Sequence, residues 1–152
     1  MKFSQPIDHY LAQFNISEIR YPRDDKRMKG FMDNVDKLNA LGDRQSGFIW
    51  RLMDEHGHAM NMLVYDNPNI LPNITIWDGA SALRKFVFTT IHNKFVQNRD
   101  KWFLPSDNPK LVMWWIHKDG LKPSMLEGVK RMDYYINNGP TEHGFGWENL
   151  DA

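Results

Sequence analysis

Apolar and polar positions alternate from His9 to Ile19, with Tyr10, Ala12, Phe14 and Ile16 on one side and Leu11, Gln13 and Asn15 on the other. A period of two predicts a first strand. Asp24 and Asp25 then precede a three-and-four spacing at Met28, Phe31, Met32, Val35 and Leu38. That spacing predicts a helix whose acidic residues suit its positive end and which stops at Gly42. Gly47 to Asp54 and Ile70 to Trp77 read as second and third strands, and Pro72 makes the third begin irregularly or lie near an edge. Ala80 to Phe103 reads as one long helix and Leu111 to His117 as a fourth strand. A last helix over Ser124 to Ile136 ends at Asn138-Gly139-Pro140.

The order βαββαβ plus a C-terminal helix predicts an α+β, ferredoxin-like sandwich. The chain reads as a single domain over 1–152, with a core over about 9–137 and a tail over 138–152. Both faces of the sheet need a cover, because Trp114 and Ile116 point opposite to Met113 and Trp115. Two solutions stay open. Two copies pack sheet to sheet as a homodimer, the arrangement of a dimeric α/β-barrel, or the C-terminal helix and tail cover the second face within one chain.

Composition narrows the chemistry. The 152 residues carry 19 basic and 19 acidic side chains, so no net charge draws the chain to nucleic acid or an anionic membrane. The absence of cysteine excludes disulfides, thiolate metal sites and cysteine nucleophiles. Aromatics reach 13%, with six Trp and nine Phe, which points to a core or pocket of flat side chains. The N-terminus has no apolar signal region and the longest strongly apolar run, Leu111 to Ile116, is too short for a membrane span. The expectation is a cytoplasmic protein. No GxGxxG, P-loop or GxSxG motif supports a nucleotide or serine-hydrolase reading.

Candidate chemistry gathers on the long helix. Phe88, Ile91, Phe95 and Trp102 share an apolar face, and His92 and Arg99, seven apart, fall within its arc with Lys85 extending the row. Such a row suits the carboxylate, phenolate or enolate of a flat ligand, with His92 as general base and Arg99 as its anion partner. The alternative is structural: Arg99 pairs with an acid and His92 bonds a carbonyl. Gln13, Asn15, Arg51, Asn73, Thr75 and His117 are the polar strand positions that would complete a pocket. Trp50, Trp77, Trp114 and Trp115 would wall it, or else belong to core and interface. The expected ligand-binding set is Asn15, Arg51, Asn73, Trp77, Phe95, Trp102, Trp115 and His117. Asp54, Glu55, His56 and His58 offer metal ligands, yet a hairpin at Gly57 explains them equally and no further ligand completes the set. No cofactor is expected; haem on His92 or His117 is the minor alternative.

Several segments resemble a known family. They are LAQFNISEIR at 11–20, FMDNVDKLNAL at 31–41, GFIWRLMDEHG at 47–57, NITIWDGASALRKFVF at 73–88, the His92…Arg99-x-x-Trp102-Phe103 run, LVMWWI at 111–116 and GPTEHGFGW at 139–147. Together they resemble an uncharacterised family of single-domain proteins of unknown function, grouped with the dimeric α/β-barrel, antibiotic-biosynthesis-monooxygenase-like superfamily. That superfamily includes cofactor-independent monooxygenases, haem-degrading and haem-binding enzymes, and small isomerases, with pockets between sheet and helices. The resemblance implies a small-organic-ligand domain, acting as a monooxygenase- or isomerase-like enzyme on a flat or anionic molecule. A non-catalytic ligand-binding or interaction protein and a haem-binding protein are the alternatives. His56-Gly57-His58 departs from the family, which more often has small polar residues there.

Overall fold

Four strands carry the molecule: β1 (His9–Glu18), β2 (Phe48–Arg51), β3 (Ile70–Trp77) and β4 (Leu111–His117). In the computed structural model, residues 1–53, 65–91 and 98–151 are described. The sheet order is β2-β3-β1-β4 with every neighbour antiparallel, compatible with a ferredoxin-like α+β sandwich. β1 lies at the centre, pairing Gln13 with Thr75 on one side and with Met113 on the other. Its alternation therefore sorts two cores.

On one face Ala12, Phe14, Ile74, Ile76, Val112 and Trp114 pack under α5 (Met125–Asn138) through Met125 and Met132. On the other, Leu11, Trp77 and Met113 meet Leu83 of α3 (Ala80–Lys85), Phe86, and Phe145 and Leu150 of the C-terminal tail. The face that a sheet-to-sheet homodimer would cover carries α5 of the same chain, so the second of the two expected solutions for covering the sheet is the one observed. A third cluster, Ile19, Met28, Leu71 and Trp102, closes the C-terminal end of β1.

The first expected helix is broken into pieces. A 3-10 turn at Lys26–Met28, capped by the Asp25 carboxylate on the Arg27 amide, leads into α1 (Lys29–Met32), and α2 (Val35–Asp43) follows. The apolar stripe survives in packing, since Met28 is buried and Phe31, Met32 and Leu38 lie against the third cluster. The backbone breaks at Asp33-Asn34, where the Asn34 amide bonds the Gly30 carbonyl; short polar side chains compete in this way with helix propagation. Gly42 does not stop α2. It lies inside it, where the Phe86 ring sits 3.2 Å from the position a Cβ would take.

The long helix expected over Ala80 to Phe103 is also interrupted. α3 passes into a π-helical stretch, Phe86–Ile91, and α4 (Arg99–Trp102) is a separate short turn. A π turn shifts the phase of every later side chain relative to a continuous α-helix. Phe88, expected on the apolar face, is 55% exposed and touches only the Trp147 ring among the described aromatics.

Pro72 lies in an inner strand, opposite Ile16 of β1. The Ile16 amide bonds Lys110 on the β4 side, so Ile16 and Pro72 form a non-hydrogen-bonded pair. The proline nitrogen thus points toward the β2 side, where the described ladder runs from Trp77 to Thr75 and ends with the Leu52 amide on the Ile74 carbonyl, so the missing N–H breaks no described pair. The last helix matches its expected limits closely: Ser124 caps it by accepting the Glu127 amide at 3.1 Å, and Gly139 ends it with φ 73°.

Candidate functional site

The polar strand positions do gather on one face, but as a satisfied interior row. Asn15 donates to Gln13 Oε1 at 2.9 Å, Gln13 Nε2 donates to Thr75 Oγ1 at 2.6 Å, and Trp77 Nε1 donates to the same oxygen at 2.8 Å. Gln13 and Thr75 are buried and Asn73 pairs with Asn15 across the strands. Arg51 stands beside Thr75 and forms an ion pair with Asp43 of α2 at 2.9 Å. A buried polar group needs partners, and this row supplies them to itself.

The other expected site residues separate along the sheet. Arg99 is exposed, not inside an apolar arc, and opens α4 beside the C-terminal end of β1, where Arg20 N bonds Trp102 O and Leu104 N bonds Glu18 O. Trp102 is a core residue over Gly30 and Phe31. Trp77 is 1% exposed, stacked on Phe86 at 5.2 Å. His117 is exposed at the opposite end of the sheet, edge-on to His9 at 5.1 Å, its Nδ1 accepting the Asp119 amide. The strand spans about 30 Å between those ends, so Arg99 and His117 do not share a site. His92, Phe95 and the Asp54, Glu55, His56, His58 group lie outside the described residues. Among the described residues, no three His, Asp or Glu side chains are arranged to hold a metal.

A cleft of about 720 Å³ opens at the His9, Trp77 and His117 end. Its floor includes Trp115, one of the expected ligand-binding residues, and Lys85 stands on its wall. The walls come from five pieces of chain. The turn after β3 supplies Asp78 and Gly79, α3 supplies Ala80 to Ala82, the turn before β2 supplies Ser46 and Gly47, and the two chain ends supply the rest. Gly47 sits at φ 88° and a Cβ there would come within 2.5 Å of the Ala82 Cβ. Only glycine lets the two walls approach so closely. The Asp78 amide seals that junction on the Gly47 carbonyl at 2.7 Å.

The chain ends clasp one another to make the remaining wall. Phe3 N bonds Asn149 O at 2.8 Å, Ser4 Oγ donates to Asp151 at 2.7 Å, and Lys2 Nζ donates to the carbonyls of Glu148 and Leu150. Gln5 Nε2 ties the arm to the sheet through the carbonyls of His9 and Asp78. Trp115 Nε1 donates to Phe3 O at 3.2 Å, and Phe3 stacks on Phe145 at 5.1 Å. The tail is held from behind by Tyr135, which donates to Glu148 at 3.4 Å; burial and the Glu148 carboxylate push its phenol above the usual range.

Lys85 makes no ion pair among the described residues, so its ammonium is available at the cleft wall. Sequence reasoning named Trp115 and Lys85 but missed Phe3, Leu150 and Asp151. Their convergence depends on the two ends of the chain meeting.

Residues 10–152 match the family described as Domain of unknown function (DUF3291). The chain belongs to the DUF3291 family. No curated protein and no solved structure matches it. The family match begins at Tyr10, whereas the arm that supplies Phe3 and Gln5 to the cleft precedes it. The sheet from Tyr10 onward, α3, Trp115 and the C-terminal tail fall inside the DUF3291 region; the N-terminal arm does not. Among the described residues no helix is long and apolar enough to cross a membrane.

Proposed function

We propose that this DUF3291 domain binds a flat organic molecule with a single anionic group in the cleft at the end of the sheet. The observation that carries the reading is the cleft itself, about 720 Å³ with an aromatic floor, hydroxyls and an ammonium that forms no ion pair among the described residues. That volume lies in the range of small-molecule sites, which combine apolar lining with a few placed polar groups. Trp115 and Phe3 offer the apolar surface, Lys85 the anion partner, and Ser46 and Ser81 hydroxyls that either donate or accept. Asp78 and Asp151 on the same rim disfavour polyanions, because each added negative charge on the ligand meets like charge. The reading is one of binding. Among the described cleft residues the titratable groups are Lys85, Asp78 and Asp151, and Asp151 is engaged by Ser4.

A thermal-shift screen of aromatic monocarboxylates and phenolates tests this. We expect saturable stabilisation by at least one flat monoanion. It should weaken about tenfold in Lys85→Ala, as for a charge-assisted hydrogen bond, and vanish in Ser81→Trp, which fills the cleft from an exposed position. Stabilisation that persists in both variants would place the ligand elsewhere.

A further inference from the structure

At the other end of the sheet, a neutral chain concentrates positive charge. Residues 20–29 hold five Lys or Arg against two Asp, and residues 99–101 add two cations and one acid. The two segments border a separate, open pocket of about 440 Å³ lined by Arg20, Tyr21, Arg27, Asp100 and Lys101. Arg20 is its centre. The guanidinium is half-buried and is held by neutral groups, Nε donating to Asp100 O at 3.1 Å and Nη2 to Phe103 O at 3.3 Å. These bonds fix the orientation of the fork without cancelling its charge, and they leave further N–H donors unused.

The neighbouring charges add to that field. Lys101 makes no ion pair among the described residues. Arg27 is bidentate to Asp25, whose carboxyl it holds at about 2, first through its side-chain hydrogen bonds. Its guanidinium also lies 3.6 Å from the centre of the Tyr21 ring, which holds the pocket wall in place. With Arg27 balanced by Asp25, the uncompensated donors are Arg20 and Lys101. The Asp100 carboxylate is exposed and forms no ion pair with either.

We propose that this pocket binds the phosphoryl group of a small phosphomonoester, with Arg20 as the oriented fork and Lys101 as the second cation. A forked guanidinium beside a mobile ammonium suits a tetrahedral dianion better than a planar carboxylate, because both donors address different oxygens of one group. This site is independent of the cleft: it lies at the opposite end of β1 and shares no residue with it.

Phosphorus-detected NMR titration at low salt tests the assignment, with phenyl phosphate, inorganic phosphate and acetate as probes. We expect phenyl phosphate to bind with Kd near or below about 1 mM, inorganic phosphate to compete, and acetate not to compete. Lys101→Ala, an exposed substitution that leaves the core alone, should weaken binding about tenfold. Arg20→Gln should abolish it, with circular dichroism confirming the fold. Lys85→Ala, in the other cleft, should leave it unchanged. Binding that is insensitive to both Lys101→Ala and Arg20→Gln overturns the proposal, as does equal competition by acetate. Attachment to vesicles containing phosphatidic acid without binding of free phenyl phosphate also overturns it, since the pocket would then read a lipid surface.

Discussion

Thr75 Oγ1 is the hub of the interior, accepting from Gln13 and from Trp77. Trp114, on the opposite face of the sheet, has an indole N–H with no partner among the described residues although the residue is 1% exposed. The two tryptophans therefore carry different polar balances in equally dry surroundings. Removing Nε1 from Trp77 breaks a bond to a buried hydroxyl, whereas removing it from Trp114 relieves an unmet donor. Trp114 also lies under the Arg131 guanidinium at 4.7 Å, a contact a phenyl ring retains in weaker form. In urea denaturation we expect Trp77→Phe to cost about 1–2 kcal/mol more than Trp114→Phe. Equal losses would mean that the Thr75 hub contributes nothing beyond packing. The same satisfied row explains why Gln13, Asn15 and Thr75 are better read as internal structure than as ligand-facing groups.

At the scale of elements, α5 decides how the second sheet face is covered. Its Gly128 faces Phe14, and a Cβ there would overlap the ring of that fully buried side chain. Helix and sheet touch at this point because one of them has no side chain. Gly128→Ala should destabilise the protein by about 1–3 kcal/mol, the range for overpacking a core, despite the better helix propensity of alanine. Unfolding by heat or urea measures it, and a stabilised variant would show that α5 sits less tightly than described. The strands and α5 were legible in the sequence because their periods are short and their buried faces are continuous: Tyr10, Ala12, Phe14 and Ile16 recur at every second residue, and Ser124 and Gly139 mark the helix ends. The central helix was not legible. Nothing in FVFTTI distinguishes a π turn from an α turn, and the single apolar face drawn through Phe88, Ile91, Phe95 and Trp102 took in Phe88 and Arg99, both of which are exposed. The break at Asp33-Asn34 had a signal in its two short polar residues, but the apolar stripe outweighed it.

Over the whole molecule, the sheet separates two unlike ends. One carries the cleft, built where the first and last residues of the chain clasp each other. The other carries the Arg20 pocket, built from the segment after β1 and the turn at α4. The sequence reading singled out Trp115 and Lys85 but passed over the cation-rich run from Arg20 to Lys29, because it weighed charge over the whole chain. It did not show their positions, because the cleft depends on contacts between residues more than one hundred apart, such as Phe3 with Asn149. The net charge of zero conceals this polarity, since it averages a basic end with a more acidic remainder.

The central claim, a cleft that takes a flat monoanion, is tested most directly by nitrogen–proton NMR during titration with an aromatic monocarboxylate chosen from the screen. We expect the Trp115 indole resonance and the amides of Gly79 to Ala82 to shift together along one saturable curve, while the indoles of Trp114 and Trp102 stay fixed. Shifts confined to other residues, or none at a ligand concentration of about 10 mM, would contradict it.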